Sequence, residues 1–276
     1  IDAVSALVRP DETLSGLNVQ VTEIKSGTTA DDIAAILEKI TGDDEVELSV
    51  AAGGVMVAVS AASLAGATRA PRPTGLPTRV GGFGGAEGFR AYLDQSGISA
   101  VLDATHPFAH RISTRSARIC HELGLPYCQV LRPAWQPEPG DQWIMLDREE
   151  QAADHIAPGR TVFLATGRQT LDRFANLSAC RLICRQIDPP EGPFPFPNGD
   201  FLVGRPPFSV DDEIETFSRL AIDWLVVKNA GGEVPRTKLH AARALAIPVI
   251  MLNRPRQPDA FRVETARQAL DWVARL

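Results

Sequence analysis

Cysteine is scarce in this chain and poorly spaced for metal or redox chemistry. Its four cysteines, Cys120, Cys128, Cys180 and Cys184, include no C-x-x-C pair, which argues against a zinc site or a disulfide framework, so no metal is expected. With no secretory signal in the sequence, they are expected as reduced thiols of a cytoplasmic protein. A long apolar run is missing too. The least polar stretch, Val50 to Ala67, is crowded with glycine, alanine and serine and has no basic flank before it. It reads as a Gly-rich turn plus a strand rather than a membrane span. Positive charge is in deficit, with 28 Lys and Arg against 34 Asp and Glu and a net charge of −6. That balance argues against general nucleic-acid binding, which needs a basic face. No internal repeat, coiled coil or low-complexity tract is present. What remains is a chain of 276 residues, 44% apolar and 22% charged. Those values suit a soluble globular protein of one large or two modest domains.

The stretch around which the rest is organised is Val101 to Ser113. Ile98 to Leu102 is a short apolar run that reads as a buried parallel strand. It feeds Asp103, Thr105 and His106, and Pro107 forbids further pairing. Ile112, Ser116, Ile119 and Leu123 then follow at helical spacing. Polar and titratable side chains therefore cluster where a strand gives way to a helix, the edge at which open α/β sheets bind ligands.

The N-terminal 55 residues are harder to read. Strands at Ala3–Val8, Val19–Ile24 and Glu45–Val50 and a helix from Thr29 to Ile40 weakly resemble a short-chain dehydrogenase. The chain lacks a G-x-G-x-x-G turn for a pyrophosphate. It also lacks the Tyr-x-x-x-Lys pair of those enzymes, because neither Tyr92 nor Tyr127 has a lysine four residues on. From Val55 the signal strengthens. A strand to Ser60 precedes Ser63, Gly66, Thr68 and Arg69, a small hydroxyl-bearing loop whose arginine suits a phosphate such as the 2′-phosphate of NADP. Gly81, Gly82, Phe83, Gly84, Gly85 and Gly88 then lead into a helix holding Phe89, Tyr92 and Leu93, and so many glycines let a cofactor approach the backbone.

The second half repeats one device four times. Thr161–Ala165 ends in Thr166, Gly167, Arg168 and Gln169. Phe201–Val203 ends in Gly204 and Arg205. Trp224–Val227 ends in Lys228, Asn229, Ala230, Gly231 and Gly232, with Arg236 and Lys238 close behind. Pro248–Leu252 ends in Asn253 and Arg254. Helices are expected at Val210–Leu220, Thr237–Ala246 and Phe261–Leu276. Alternating strands and helices make a parallel sheet whose strands end on one edge. Cations gathered there against the net charge call for an anionic partner, a polycarboxylate or a phosphate.

In order, Thr78–Gly85, Asp103–Ala109, Arg132–Trp135, Ala165–Gln169 and Val227–Gly232 resemble one family, the NADPH-dependent precorrin-6A reductases of cobalamin biosynthesis. The likeness runs from about residue 55 to 255. It implies an α/β chain of two Rossmann-like domains with parallel sheets facing a central cleft, an exchange of strands being among the arrangements allowed. The domains are expected at 1–157, binding NADPH, and 158–276, binding substrate. By implication, the cofactor-binding residues are Ser63, Gly66, Thr68, Arg69, Gly82, Phe83, Gly84, Gly85, Asp103, Thr105, His106 and Pro107. The substrate-binding residues are Thr166, Gly167, Arg168, Gln169, Arg205, Lys228, Asn229, Gly231, Gly232 and Lys238. A rim of Arg and Lys is what the acetate and propionate groups of precorrin-6A need. His106 and solvent are both candidates for the proton donor. A monomer is expected.

The sequence departs from the family in two places. Residues 1–55 lack the opening strand and Gly-Gly-Thr turn, and Arg205-Pro206-Pro207-Phe208 stands for a family Arg-Gly-Pro-Phe. Three other readings stay open: a tetrapyrrole-binding protein without reductase activity, a cobalt-precorrin-6A reductase, and a short-chain-type dehydrogenase.

Overall fold

The computed structural model describes residues 61–63, 78–80 and 83–276. The elements expected within residues 1–55 and the strand at 55–60 lie outside them. The chain divides into two compact units. Among the described residues the first comprises 61–63, 78–80, 83–133 and 256–276, and the second 134–255.

In the first unit β1 (Ala61–Ser63) and β2 (Thr78–Val80) pair in parallel. Helix α1 (Gly85–Gln95) opens at Gly84, whose φ of 74° is left-handed, and buries Phe89 and Leu93, four residues apart on one face. The Phe83 ring packs on Phe89 and Tyr92 at centroid distances of 5.0 and 4.9 Å. Strand β3 (Val101–Asp103) starts three residues later than the apolar run suggests. The Ile98 N–H is taken by the Leu93 carbonyl at 2.9 Å, closing α1 instead. Helix α2 (His110–Leu123) stops at Gly124, again left-handed with φ 68°, the usual role of glycine at a helix C-terminus. Strand β4 (Tyr127–Val130) then pairs with β3 in parallel.

The second unit holds β5 (Trp143–Leu146), β6 (Thr161–Ala165), β7 (Arg181–Gln186), β8 (Gly199–Val203), β9 (Trp224–Lys228) and β10 (Val249–Leu252). They form one sheet in the order β5-β10-β9-β6-β7-β8, every pair parallel. Phe163, Ala165, Ile183, Leu225, Val227, Val249 and Met251 pack on one face with residues of α3 (Val210–Arg219) and α4 (Thr237–Ala244). Ser209 caps α3, its hydroxyl accepting the Asp212 N–H at 3.1 Å. The alternate residues Val162, Leu164, Leu182, Cys184, Val226 and Ile250 are buried as well, and the 3₁₀ turns at Arg168–Leu177 contact β7. A sheet covered on both faces needs near-continuous apolar strands, and these strands supply them.

The chain then returns to the first unit. Strand β11 (Arg262–Val263) pairs with β4, giving a three-stranded parallel sheet in the order β11-β4-β3, and α5 (Ala266–Val273) packs beside it. The boundary expected after residue 157 is therefore corrected. Strand β5 hydrogen-bonds to β10, from Val249–Trp143 to Leu252–Leu146, and the C-terminal segment completes the first unit. Strand edges, not chain order, decide where a strand finds its partners.

Candidate active site

In the first unit the candidate residues sit at the carboxyl end of β3. Asp103 is fully buried. Its Oδ1 accepts the Thr105 N–H at 2.9 Å and its Oδ2 accepts the Tyr127 hydroxyl at 2.7 Å. The Thr105 and Ser113 hydroxyls are 2.6 Å apart and tie the loop to the start of α2. Asp103 and Thr105, read from the sequence as cofactor contacts, thus spend these groups on shaping the loop. Beside them, burial and the Asp103 charge push the Cys128 thiol up to about 12, so it is no nucleophile.

The loop carries His106, which is buried. Its Nδ1 accepts the Phe108 N–H at 3.2 Å. A ring nitrogen that accepts carries no proton, so the neutral ring holds its hydrogen on Nε2 and can donate from there. Pro107 is held from behind: its carbonyl accepts from Gln257 Nε2 at 2.7 Å, and Gln257 Oε1 accepts from Gln129 Nε2 at 3.0 Å. The returning segment thereby fastens the loop that carries His106. Gln129 and Gln257 carry no motif, and only their meeting across 128 positions gives them this role.

Gly84 and Gly85 lie exposed at the start of α1 with φ of 74° and 96°, and a Cβ at either would meet open space. The first N–H groups of a helix have no helical carbonyl to pair with, and such groups suit a phosphate. Gly88 is needed for packing, since a Cβ would lie 1.6 Å from the Phe83 carbonyl oxygen. These residues fit a dinucleotide. Gly66, Thr68, Arg69 and Gly82 lie outside the described residues, and of Ser63 only the backbone pairing with Val80 is described.

In the second unit the chain moves outward from β6 to β7 and β8, then returns to the other side of β6 as β9 and β10. The reversal between β6 and β9 is the point where open α/β sheets hold ligands, outside the carboxyl ends. Thr166–Gln169 and Lys228–Gly232 meet there. Lys228 is buried, and its Nζ donates to the Thr166 carbonyl at 3.1 Å. Gly167 has φ 77° and ψ 164°, a conformation adopted almost only by glycine. Gly231 and Gly232 also have positive φ, 72° and 81°. Arg168 and Gln169 are exposed just beyond.

The Arg132–Trp135 and Val227–Gly232 motifs meet through Trp135 and Asn229. The Asn229 Oδ1 accepts the Trp135 N–H at 2.8 Å, and its Nδ2 donates to the Trp135 carbonyl at 3.1 Å. The indole N–H donates to the Gly232 carbonyl at 2.7 Å. Asn229, expected to touch substrate, has both amide atoms committed to holding the loop.

The rim is less charged than the sequence suggests, because the chain satisfies several of its own cations. Arg254 donates to the Asn229 and Ala230 carbonyls at 2.8 and 3.0 Å. Arg205 lies 3.5 Å from Asp188, and Arg236 pairs with Glu138. Lys238 lies buried, its amine donating to the Pro235 carbonyl at 2.6 Å. Burial pulls its pKa down to about 8, with Glu213 opposing and Arg185 adding to the shift. Arg185 and Glu213 form a buried bidentate pair, both contacts 2.7 Å. The guanidinium carbon lies 4.7 Å from the Phe163 ring centre and 4.3 Å from that of Phe208. Nothing in the motif pattern marks this pair.

Residues 44–274 match the family model described as Precorrin-6x reductase CbiJ/CobK. The chain belongs to this precorrin-6x reductase family. It is 41% identical over 231 residues to a precorrin-6A reductase of Rhodococcus erythropolis, covering 83% of this chain and 93% of that protein. It is 42% identical over 217 residues to the precorrin-6A reductase of Mycobacterium tuberculosis (strain ATCC 25618 / H37Rv), covering 78% and 87%. A solved structure of a CobK precorrin-6A reductase aligns with a TM-score of 0.70 at 38% identity, covering 72% of this chain and 82% of that one. As in that reductase family, the fold is a mixed α/β architecture with two Rossmann-like parts. No helix among the described residues is long and apolar enough to cross a membrane.

Proposed function

We propose that this chain catalyses the NADPH-dependent reduction of one ring carbon–carbon double bond of precorrin-6A, giving precorrin-6B in corrin-ring and cobalamin biosynthesis. One observation carries the reading. In a chain of the precorrin-6x reductase family, the motifs at Asp103–Ala109, Ala165–Gln169 and Val227–Gly232 all lie at carboxyl ends of parallel strands, where α/β proteins hold their ligands.

NADPH, when bound, supplies the hydride. The chain's own residues bind and position. The Gly84–Gly85 start of α1 offers backbone N–H groups to a cofactor phosphate, and Ser63, Gly66, Thr68 and Arg69 are assigned the 2′-phosphate on sequence grounds. Lys228, Thr166 and Arg168 grip carboxylates of the macrocycle at the edge of the second sheet. Addition of a hydride to a double bond needs a proton for the other carbon, and His106 Nε2–H is the donor assigned here. We read the protein as a cytoplasmic monomer. The compartment is supported by four buried thiols, none of them in a disulfide.

The test is a titration of the chain with NADPH and with NADH, followed by nicotinamide fluorescence, and then NADPH oxidation in the presence of precorrin-6A. Preference for NADPH and one NADPH consumed per tetrapyrrole are expected. Tetrapyrrole binding with no NADPH oxidation would instead support a carrier without reductase activity.

A further inference from the structure

The parallel register of the second sheet sets one row of residues across its carboxyl edge. Leu146 pairs with Leu252, Leu252 with Lys228, and Gln186 with Val203. Extending the Ala165–Val227 pairing by one residue sets Thr166 beside Lys228, and extending Leu164–Cys184 by two sets Gln186 beside Thr166. Residues of one row point to the same face of a parallel sheet. Lys228, Thr166 and Gln186 therefore stand side by side at the reversal of strand order. Arg185, one residue earlier, points to the opposite face, where Glu213 engages it.

Thr166 is fully buried and Gln186 is 8% exposed. The Thr166 hydroxyl and both amide atoms of Gln186 have no hydrogen-bond partner among the described residues. Buried polar groups almost always find partners. Two neighbouring exceptions beside a buried lysine, at the point where α/β sheets take ligands, mark a place where a ligand provides what the chain does not.

We propose that Lys228, Thr166 and Gln186 form a subsite for one carboxylate side chain of the tetrapyrrole, with Gln186 its specificity-determining member. The inference rests on the substrate reading given above and deepens it. Lys228 supplies the charge, while the Thr166 hydroxyl and the Gln186 N–H donate to the carboxylate oxygens. Two uncharged donors beside one cation suit a singly charged group, and a phosphate would bring more charge than the row balances. The Gln186 carbonyl repels a further anionic oxygen and so limits the subsite to one carboxylate.

The test uses the full chain with Gln186→Glu, Gln186→Met and Thr166→Val, titrated separately with precorrin-6A and with NADPH. Gln186→Glu is expected to weaken precorrin-6A binding by about tenfold or more, and the other two by roughly threefold to tenfold. NADPH affinity should stay at the wild-type value, which a general structural defect would not allow. Gln186→Met, close to glutamine in volume, carries the test should the glutamate variant fail to fold. Unchanged precorrin-6A affinity in Gln186→Met and Thr166→Val overturns the proposal and leaves the row satisfied by solvent. Weakened NADPH binding at an unchanged melting temperature overturns it too and assigns the row to a cofactor phosphate. If wild-type chain binds no precorrin-6A, the substrate reading itself fails. If binding is lost in Lys228→Met but kept in every Gln186 variant, only the subsite fails.

Discussion

The Lys228 ammonium donates to the carbonyl oxygen of Thr166 across 3.1 Å, joining the end of β9 to the end of β6 where the strand order reverses. One residue thereby organises two loops that lie 62 positions apart in the chain. It also sets a cation at the edge to which the carboxylate subsite is assigned above.

Lys228→Met should weaken precorrin-6A binding by roughly tenfold to a hundredfold, the worth of about 1.5–3 kcal/mol for a hydrogen bond to a charged group. Thermal stability should fall too, because the Thr166 carbonyl loses its shorter donor and keeps only the Thr170 hydroxyl at 3.4 Å. Fluorescence titration with the tetrapyrrole checks the first and a melting curve the second. NADPH affinity should not move.

His106→Gln should lower kcat by about a hundredfold, at the lower end of what a positioned acid contributes. The affinities for NADPH and precorrin-6A should stay close to wild type. Single-turnover measurements with both ligands saturating isolate this step. A wild-type rate in the variant would assign the proton to solvent.

Tyr127→Phe leaves the buried Asp103 Oδ2 without the donor it has at 2.7 Å. A loss of about 1–3 kcal/mol is expected in urea denaturation of the chain. Any fall in turnover would then report on the loop that Asp103 shapes, since the hydroxyl lies on β4 and is engaged inside the unit.

The Arg185–Glu213 pair is buried at 5% and 1% exposure of the two side chains. Glu213→Gln strands a guanidinium in the core and should cost roughly 3–5 kcal/mol, whereas Arg185→Met with Glu213→Leu should be near neutral. Comparing the single and double variants in urea denaturation separates the net worth of the pair from the cost of breaking it.

Lys238 makes the stability of the fold depend on pH. Its pKa is about 8 in the folded chain against an ordinary 10.5. Below about pH 8 the amine is charged in both states, and the folded chain bears the whole cost of burying it, up to about 3 kcal/mol. Between pH 8 and 10.5 the unfolded chain holds more protons, so stability from this group rises with pH. Lys238→Met should therefore be more stable than wild type at pH 7, and the gap should narrow through pH 8 to 10. Urea midpoints across that range read the effect. Precorrin-6A affinity of the same variant decides whether the amine also serves the substrate.

Much of the second unit was legible because its strands are apolar on both faces and several end in glycine- or proline-bearing turns. Thr161–Ala165 was located to the residue, and Trp224–Lys228, Val249–Leu252 and the Ser209-capped α3 to within a residue or two. Strands β5 and β7 have no counterpart in the sequence reading: Trp143–Leu146 is four residues long and finds its partner β10 only after more than a hundred residues, and Arg181–Gln186 is interrupted by Arg185. The Phe261–Leu276 segment read as one helix, but Arg262–Val263 pairs with β4 first. Short strands lack a strong local period, and pairing across the chain settles them. Arg254 looked like a ligand-binding cation by composition, and only the folded loop shows its guanidinium spent on two carbonyls.

By itself the sequence determined much of the alternation of strand and helix, the motifs at the strand ends and the family, because these depend on local spacing and residue type. The tertiary structure decided which strands share a sheet, that residues 256–276 close the first unit, and that Gln129 and Gln257 fasten the His106 loop. It also decided which cations are already satisfied and that Lys228, Thr166 and Gln186 stand in one row. Hydrogen-bond partners and burial depend on residues far apart in the chain, and neither can be read until the chain has folded back on itself.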